Sequence, residues 1–181
     1  MLQFALEVLA DPSVDHFTRL HIKRDPAVCP TTLEIRYLRA SRLVHPDTNN
    51  DTSGQAAIEA SALLNEAQRI LAKPWERYPY LAELLVPGVM DATKQLDPIF
   101  LMEAMELGEE VEAARQQAEA RIEKQYEIEG KLVAYAHEIE ELLRSENDDK
   151  VRKAARLCHE AKYYQRALEI LKREKRDGIP D

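Results

Sequence analysis

The stretch LVHPDTNN, residues 43–50, sets an imidazole and a carboxylate two positions apart with a proline between them. His45 and Asp47 could serve as an acid–base dyad or as two ligands of a metal. Either chemistry needs a further group: a nucleophile, a third ligand or a glycine-rich phosphate loop, and none accompanies them. A metal-dependent hydrolase built from His45, Asp47, His159 and nearby acids is therefore the weakest reading, and no metal or other cofactor is expected. What the three residues do offer is a rigid polar head. Pro46 fixes its own backbone and disfavours helical geometry at His45, so both polar side chains leave the turn in a set direction. A preorganised head loses little entropy on docking. The plain alternative is a helix-ending proline followed by an aspartate cap.

A second group lies in LMEAMELGEE, residues 101–110. At roughly 100° per residue, Phe100, Ala104, Leu107, Val111, Ala114, Ala118 and Ile122 share one stripe, the expected core face. Leu101, Met102 and Met105 fall off that stripe, on the side that carries Glu106, Glu109 and Glu112. An apolar patch set among acids needs a cover, and methionine adapts well to a partner's surface. The cover is either another protein or a neighbouring segment of the same chain.

The elements that must position these groups are helices. Glycine is rare, with 5 in 181 residues. Long stretches of Ala, Glu, Leu, Lys and Arg favour helix, and two-residue alternation never persists. An all-α protein is expected. LEIRYLRASRLV (33–44) reads as a helix capped by Thr31 or Thr32, with Leu33, Tyr37, Ala40 and Val44 inward. Arg36, Arg39 and Arg42 lie mostly off that stripe. After the polar loop DTNNDTSG, a second helix from Gln55 to Ala72 is expected to pack Ile58, Leu63 or Leu64, Ala67, and Ile70 or Leu71. The two helices make an antiparallel hairpin, with Trp75, Tyr78, Leu81, Leu84 and Leu85 closing its open side.

Residues 87–97, flanked by prolines and weakly periodic, read as a linker between units at 14–86 and 98–176. The second unit reads as a three-helix bundle. Its interruptions are expected near Gly130 and at SENDD (145–149), where Asp148 or Asp149 can cap the last helix.

A net charge of −8 argues against nucleic acid as the main partner. The charge is uneven: arginines cluster at 36–42 and acids at 103–112. The two cysteines, Cys29 and Cys158, belong to no metal-spaced cluster and suit a reducing compartment. No segment approaches the roughly 18 apolar residues that cross a membrane. The N-terminus lacks the basic start of a secretory signal. A soluble protein is expected.

YLRASRLVHPD, followed by LNEAQRIL, resembles the J-domain, the helical hairpin by which J-proteins stimulate ATP hydrolysis by DnaK-type chaperones. DPIFLMEAMELGEEVE (97–112) resembles the start of the C-terminal domain in the HscB/Jac family, J-proteins dedicated to iron–sulfur cluster biogenesis. The resemblance runs from Val14 to about Leu171. It implies a J-domain hairpin joined to a C-terminal three-helix bundle in an L-shaped arrangement. His45, Pro46 and Asp47 would press on a DnaK/HscA-class chaperone, with Arg36, Arg39 and Arg42 steering onto an acidic surface there. Leu101, Met102, Met105, Glu106 and Glu109 match the family's residues for binding an IscU/Isu-type scaffold. Tyr163, in LCHEAKYYQRAL, matches its aromatic contact, with Tyr164 the competing assignment.

Three positions depart from the pattern: His21 stands where glycine is usual, Leu43 where many J-domains have lysine, and Ala113 where an acid is common. The implied activity is that of a non-enzymatic co-chaperone, in the mitochondrial matrix of a eukaryote or the cytoplasm of a bacterium. A J-protein for another client and a non-catalytic helical adaptor are the rivals. Weak self-association is left open.

Overall fold

Alanines make up much of the buried helix surface among the described residues. The computed structural model describes residues 6–44, 54–145 and 147–173. Among these residues the regular elements are all helices: α1 (Leu6–Ala10), α2 (His16–Arg19), α3 (Pro30–Val44), α4 (Gly54–Ala72), α5 (Pro74–Leu85), α6 (Val89–Ala92), α7 (Pro98–Arg115), α8 (Ala118–Arg144) and α9 (Asp148–Arg173). The chain divides into two compact units, Met1–Leu81 and Ala82–Asp181.

In the first unit α3 and α4 pair as expected. The buried face of α4, which packs against α1 and α2 as well as α3, is Ala57, Ala60, Leu64, Ala67 and Leu71. Spacing of three and four residues with mostly methyl side chains lets the two backbones approach. Ile58, expected inward, is 65% exposed, because Ala57 and not its larger neighbour holds the inward phase. On α3 Leu33, Ala40 and Val44 are buried, and the half-buried Tyr37 donates its hydroxyl to Asn65 Oδ1 at 2.7 Å. The cap of α3 is also corrected. Pro30, which has no N–H to lose, occupies the first helical position. Leu33 N–H therefore reaches back to Cys29 O at 3.0 Å. The Cys29 thiol accepts from the backbone and hydroxyl of Thr32, which hold its pKa below the usual thiol value. Thr31 and Thr32 lie in the first turn, one step too late to cap it.

Two buried arginines replace secondary structure at the edge of this unit. Arg19 donates to the carbonyls of Val8 (3.1 Å), Leu9, Asp11 (2.7 Å) and Val14 (2.8 Å). Arg77 donates to Pro26 O at 2.7 Å and to Leu71 O. These charged donors satisfy carbonyls that no helix ladder pairs. His21 has φ 50°, the left-handed region that favours glycine, which accounts for the residue usual there. In α5, Tyr78 and Leu81 are buried and Trp75 is half-buried, whereas Leu84 and Leu85 fall in the second unit.

The stretch read as a linker contains α6, a single turn. It follows Gly88 at φ 79°, buries Val89, and is held to α9 by His159 Nε2, 2.9 Å from Met90 O. Asp97 then caps α7, its side chain accepting from Ile99 N at 2.8 Å with Pro98 next in line. α8 does not break at Gly130: its 27 residues bury Ile128, Leu132, Ile139 and Leu143 on one face. One glycine costs about 1 kcal/mol, too little to interrupt such a face. The interruption falls instead at Gln116 and Gln117, where Gln117 turns extended (φ −133°, ψ 128°). This break resets the helical phase, so Ala118 is exposed and Ile122 is 50% exposed, outside the expected core stripe. At the next junction Asn147, not Asp148 or Asp149, is the cap: its Oδ1 accepts from Asp149 N at 3.1 Å and Lys150 N at 3.2 Å. α9 closes the bundle with Val151, Ala154, Ala155, Cys158 and Ala161.

Candidate functional site

The exposed face of α7 is the best-defined candidate. Phe100, Leu107, Val111 and Ala114 anchor the helix to α8 and α9, which turns residues half a circumference away toward solvent. Met105 is 71% exposed, Met102 64% and Leu101 39%. Glu106 and Glu109 are exposed beside them and make no ion pair among the described residues. Glu112, further along, pairs with Arg115 at 2.6 Å. All five α7 residues singled out in the sequence thus lie on one surface, apolar at the N-terminal end and acidic along its flank. Such a surface can bind another protein through dispersion and charge.

α9 brings an aromatic side chain to the same end. Tyr163 is 41% exposed, and its ring meets Phe100 edge-on at 5.5 Å and 82°. Tyr164 lies 5.4 Å from the ring of Tyr135 and is half-buried. Burial, and next the Glu103 charge, push its phenol pKa up. Tyr135 donates to Glu160 Oε2 at 2.9 Å; burial first, and that bond second, push its phenol pKa up as well. Of the two tyrosines, Tyr163 is therefore the one with surface to offer.

In the first unit Arg39 and Arg42 are exposed on α3 and Arg36 is half-buried. Ile35, Leu38 and Leu43 are exposed among them. Sequence reasoning noted Leu43 only as a departure from lysine and passed over Ile35 and Leu38, although the 33-37-40-44 inward stripe already leaves all three outside it. His45, Pro46 and Asp47 lie outside the described residues. No three His, Cys, Asp or Glu side chains among the described residues are placed to hold a metal ion, and the His159 ring is engaged with Met90 O. No described helix is long and apolar enough to cross a membrane.

The described helices thus form a hairpin unit and a three-helix bundle whose α7 exposes apolar and acidic side chains together. Residues 96–172 match the family model described as the HSCB C-terminal oligomerisation domain. The mouse iron–sulfur cluster co-chaperone protein HscB is 32% identical over 171 residues, covering 91% of this chain and 70% of the mouse protein. The mitochondrial J-type co-chaperone jac1 of Schizosaccharomyces pombe is 31% identical over 118 residues, 65% of this chain, which spans only 52% of that protein. The crystal structure of human co-chaperone protein HscB superposes with a TM-score of 0.77 at 26% identity, covering 92% of this chain and 84% of the human one. The chain belongs to the HscB family of co-chaperones. Its all-α architecture, a J-domain with a C-terminal bundle, is that of the family.

Proposed function

We propose that this protein is a co-chaperone of iron–sulfur cluster assembly that grips a cluster scaffold of the IscU/Isu type and presents it to a DnaK/HscA-class chaperone. Residues 14–86 act as the J-domain, and 98–176 as the scaffold-binding bundle. The observation that carries this reading is the exposure of Leu101, Met102 and Met105 beside Glu106 and Glu109 on α7, with Tyr163 at its N-terminal end. On the other unit His45, Pro46 and Asp47 make the chaperone-facing head, and Arg36, Arg39 and Arg42 steer it. Holding scaffold and chaperone on one molecule raises the effective concentration of each at the other. The protein's effect then falls on the chaperone's ATP turnover and not on a reaction of its own.

Single-turnover ATP hydrolysis by the chaperone tests this directly. Wild type is expected to accelerate hydrolysis, more so with an IscU-type scaffold present, and Asp47→Asn to abolish the acceleration. No acceleration by folded wild type with a matched chaperone would refute the J-protein activity. Acceleration indifferent to scaffold would point to another client.

A further inference from the structure

Between α7 and α8, within the second unit, runs a groove of about 370 Å³. Its floor is apolar, with Leu107 and Ile128 both buried and the Tyr164 ring beside them. Its rims are acidic: Glu103, Glu106 and Glu110 line it from α7 and Glu127 from α8, against a single lining lysine, Lys131. Lys124 answers Glu110 at 2.9 Å and Glu127 at 2.5 Å. Glu103 and Glu106 make no ion pair among the described residues. The negative field reaches the floor, since the Glu103 charge adds to burial in raising the Tyr164 phenol pKa.

Gly130 is an independent pointer. It lines the groove midway along α8, and a Cβ built on it would meet nothing within 4 Å. Glycine inside a helix is unfavourable relative to alanine, and no packing within the chain calls for this one. What it provides is room. With Ala134 one turn further on, it leaves part of the α8 rim bare, between the lining side chains of Glu127 and Lys131 and beyond the Lys124 bridge to Glu110. The groove is also continuous with the exposed face of α7, because Glu106 belongs to both.

We propose, resting on the scaffold reading above, that this groove receives a lysine or arginine side chain of the same scaffold partner that covers Met105. The alkyl stem lies along Leu107 and Ile128, and the cation stands among Glu103, Glu106 and Glu110. Long basic side chains bury their stems on apolar surface while keeping the charge at a polar edge, which is the arrangement this groove accepts. Complementary charge of this kind selects among partners and speeds their encounter. The apolar patch supplies grip, and the groove decides which scaffold surfaces are admitted.

Two variants test the assignment against an IscU-type scaffold protein in solution. Gly130→Leu fills the groove from α8 while raising helix propensity. It is expected to melt at or above the wild-type temperature, yet to bind the scaffold about tenfold more weakly, as for loss of one charge-assisted contact. Glu103→Gln combined with Glu110→Gln is expected to weaken binding about tenfold at low salt, with the gap closing at high salt. Wild type that fails to bind the scaffold overturns the scaffold reading and this occupant with it. Wild type that binds, with either variant binding equally tightly, overturns the groove alone.

Discussion

Removing the apolar tips of α7 separates binding from folding, and the structure sets the size of each effect. In Leu101→Ala with Met105→Ala, both side chains are cut back to Cβ on a helix whose anchoring residues are untouched. Fully burying a leucine or methionine side chain is worth about 1.5–3 kcal/mol. The free protein leaves 71% of Met105 and 39% of Leu101 in water, so roughly those fractions remain for a partner to cover. Scaled this way the pair is worth about 2 kcal/mol of binding, or about thirtyfold in Kd. Folding should hardly change: alanine is the better helix former, and exposed substitutions usually stay within about 0.5 kcal/mol. Titration calorimetry with an IscU-type scaffold reads the first quantity and thermal unfolding the second. Stimulation of the chaperone without scaffold should equal wild type, since the J-domain is unaltered. A variant that binds the scaffold normally would refute the assignment of this face. A variant that unfolds at a markedly lower temperature would show that the patch is covered within the chain.

Two further outcomes follow from buried and exposed titratable groups. Cys29 is exposed with its thiol pKa held down by Thr32, whereas burial pushes the Cys158 thiol up to about 12. One thiol per chain should react with Ellman's reagent at pH 8 and the second only after denaturation, with Cys29→Ser removing the fast phase; two fast thiols would contradict the packing of α9. His16 stacks on Tyr80 at 4.6 Å, and its Nδ1 is buried with no hydrogen-bond partner among the described residues. Burial first, and the Arg19 charge next, hold its pKa below the ordinary value, against the opposing charges of Glu66 and Asp15. The unfolded chain therefore takes up this proton at a higher pH than the folded one, so stability falls as pH drops below about 7 toward the folded pKa. His16→Gln should flatten that acid-side loss of Tm as pH falls below the ordinary imidazole value of about 6.5, and an unchanged slope would exclude the contribution.

The helices, the hairpin and the outer face of α7 were legible because each rests on periodicity that extends over several turns. Leu101, Met102 and Met105 fall off a stripe that four buried neighbours define, and nothing in the tertiary structure revises that phase. Where one or two residues decide, the sequence misled. Ile58 and Ala57 differ by a single step of helical phase. The larger side chain looks like core, but a hairpin closed by alanines prefers the methyl, and exposed large apolar residues are common. Pro30 displaced the cap from the threonines to Cys29, a residue seldom chosen for that position. Gly130 suggested a break it could not force, while the real break at Gln116 and Gln117 bears no glycine or proline. That turn is placed by the need to return α8 alongside α7, a non-local requirement no short window contains. The arginine clamps from Arg19 and Arg77 were invisible for the same reason, since their carbonyl partners converge only in the folded unit.

The unequal helix lengths of the bundle have a kinetic meaning. α8 and α9 contain 27 and 26 residues, about 40 Å each, whereas α7 contains 18, about 27 Å. The two long helices are neighbours in sequence and run together through local contacts, which form early in folding. α7 adds only a short anchoring face to a hairpin already made. Its amides are accordingly expected to exchange faster than those of its neighbours, at the low-stability end where surfaces that must meet partners are commonly found. A protein that clasps the outside of α7 thus acts as a splint as well as a ligand. It would lend protection to the shortest of the three bundle helices.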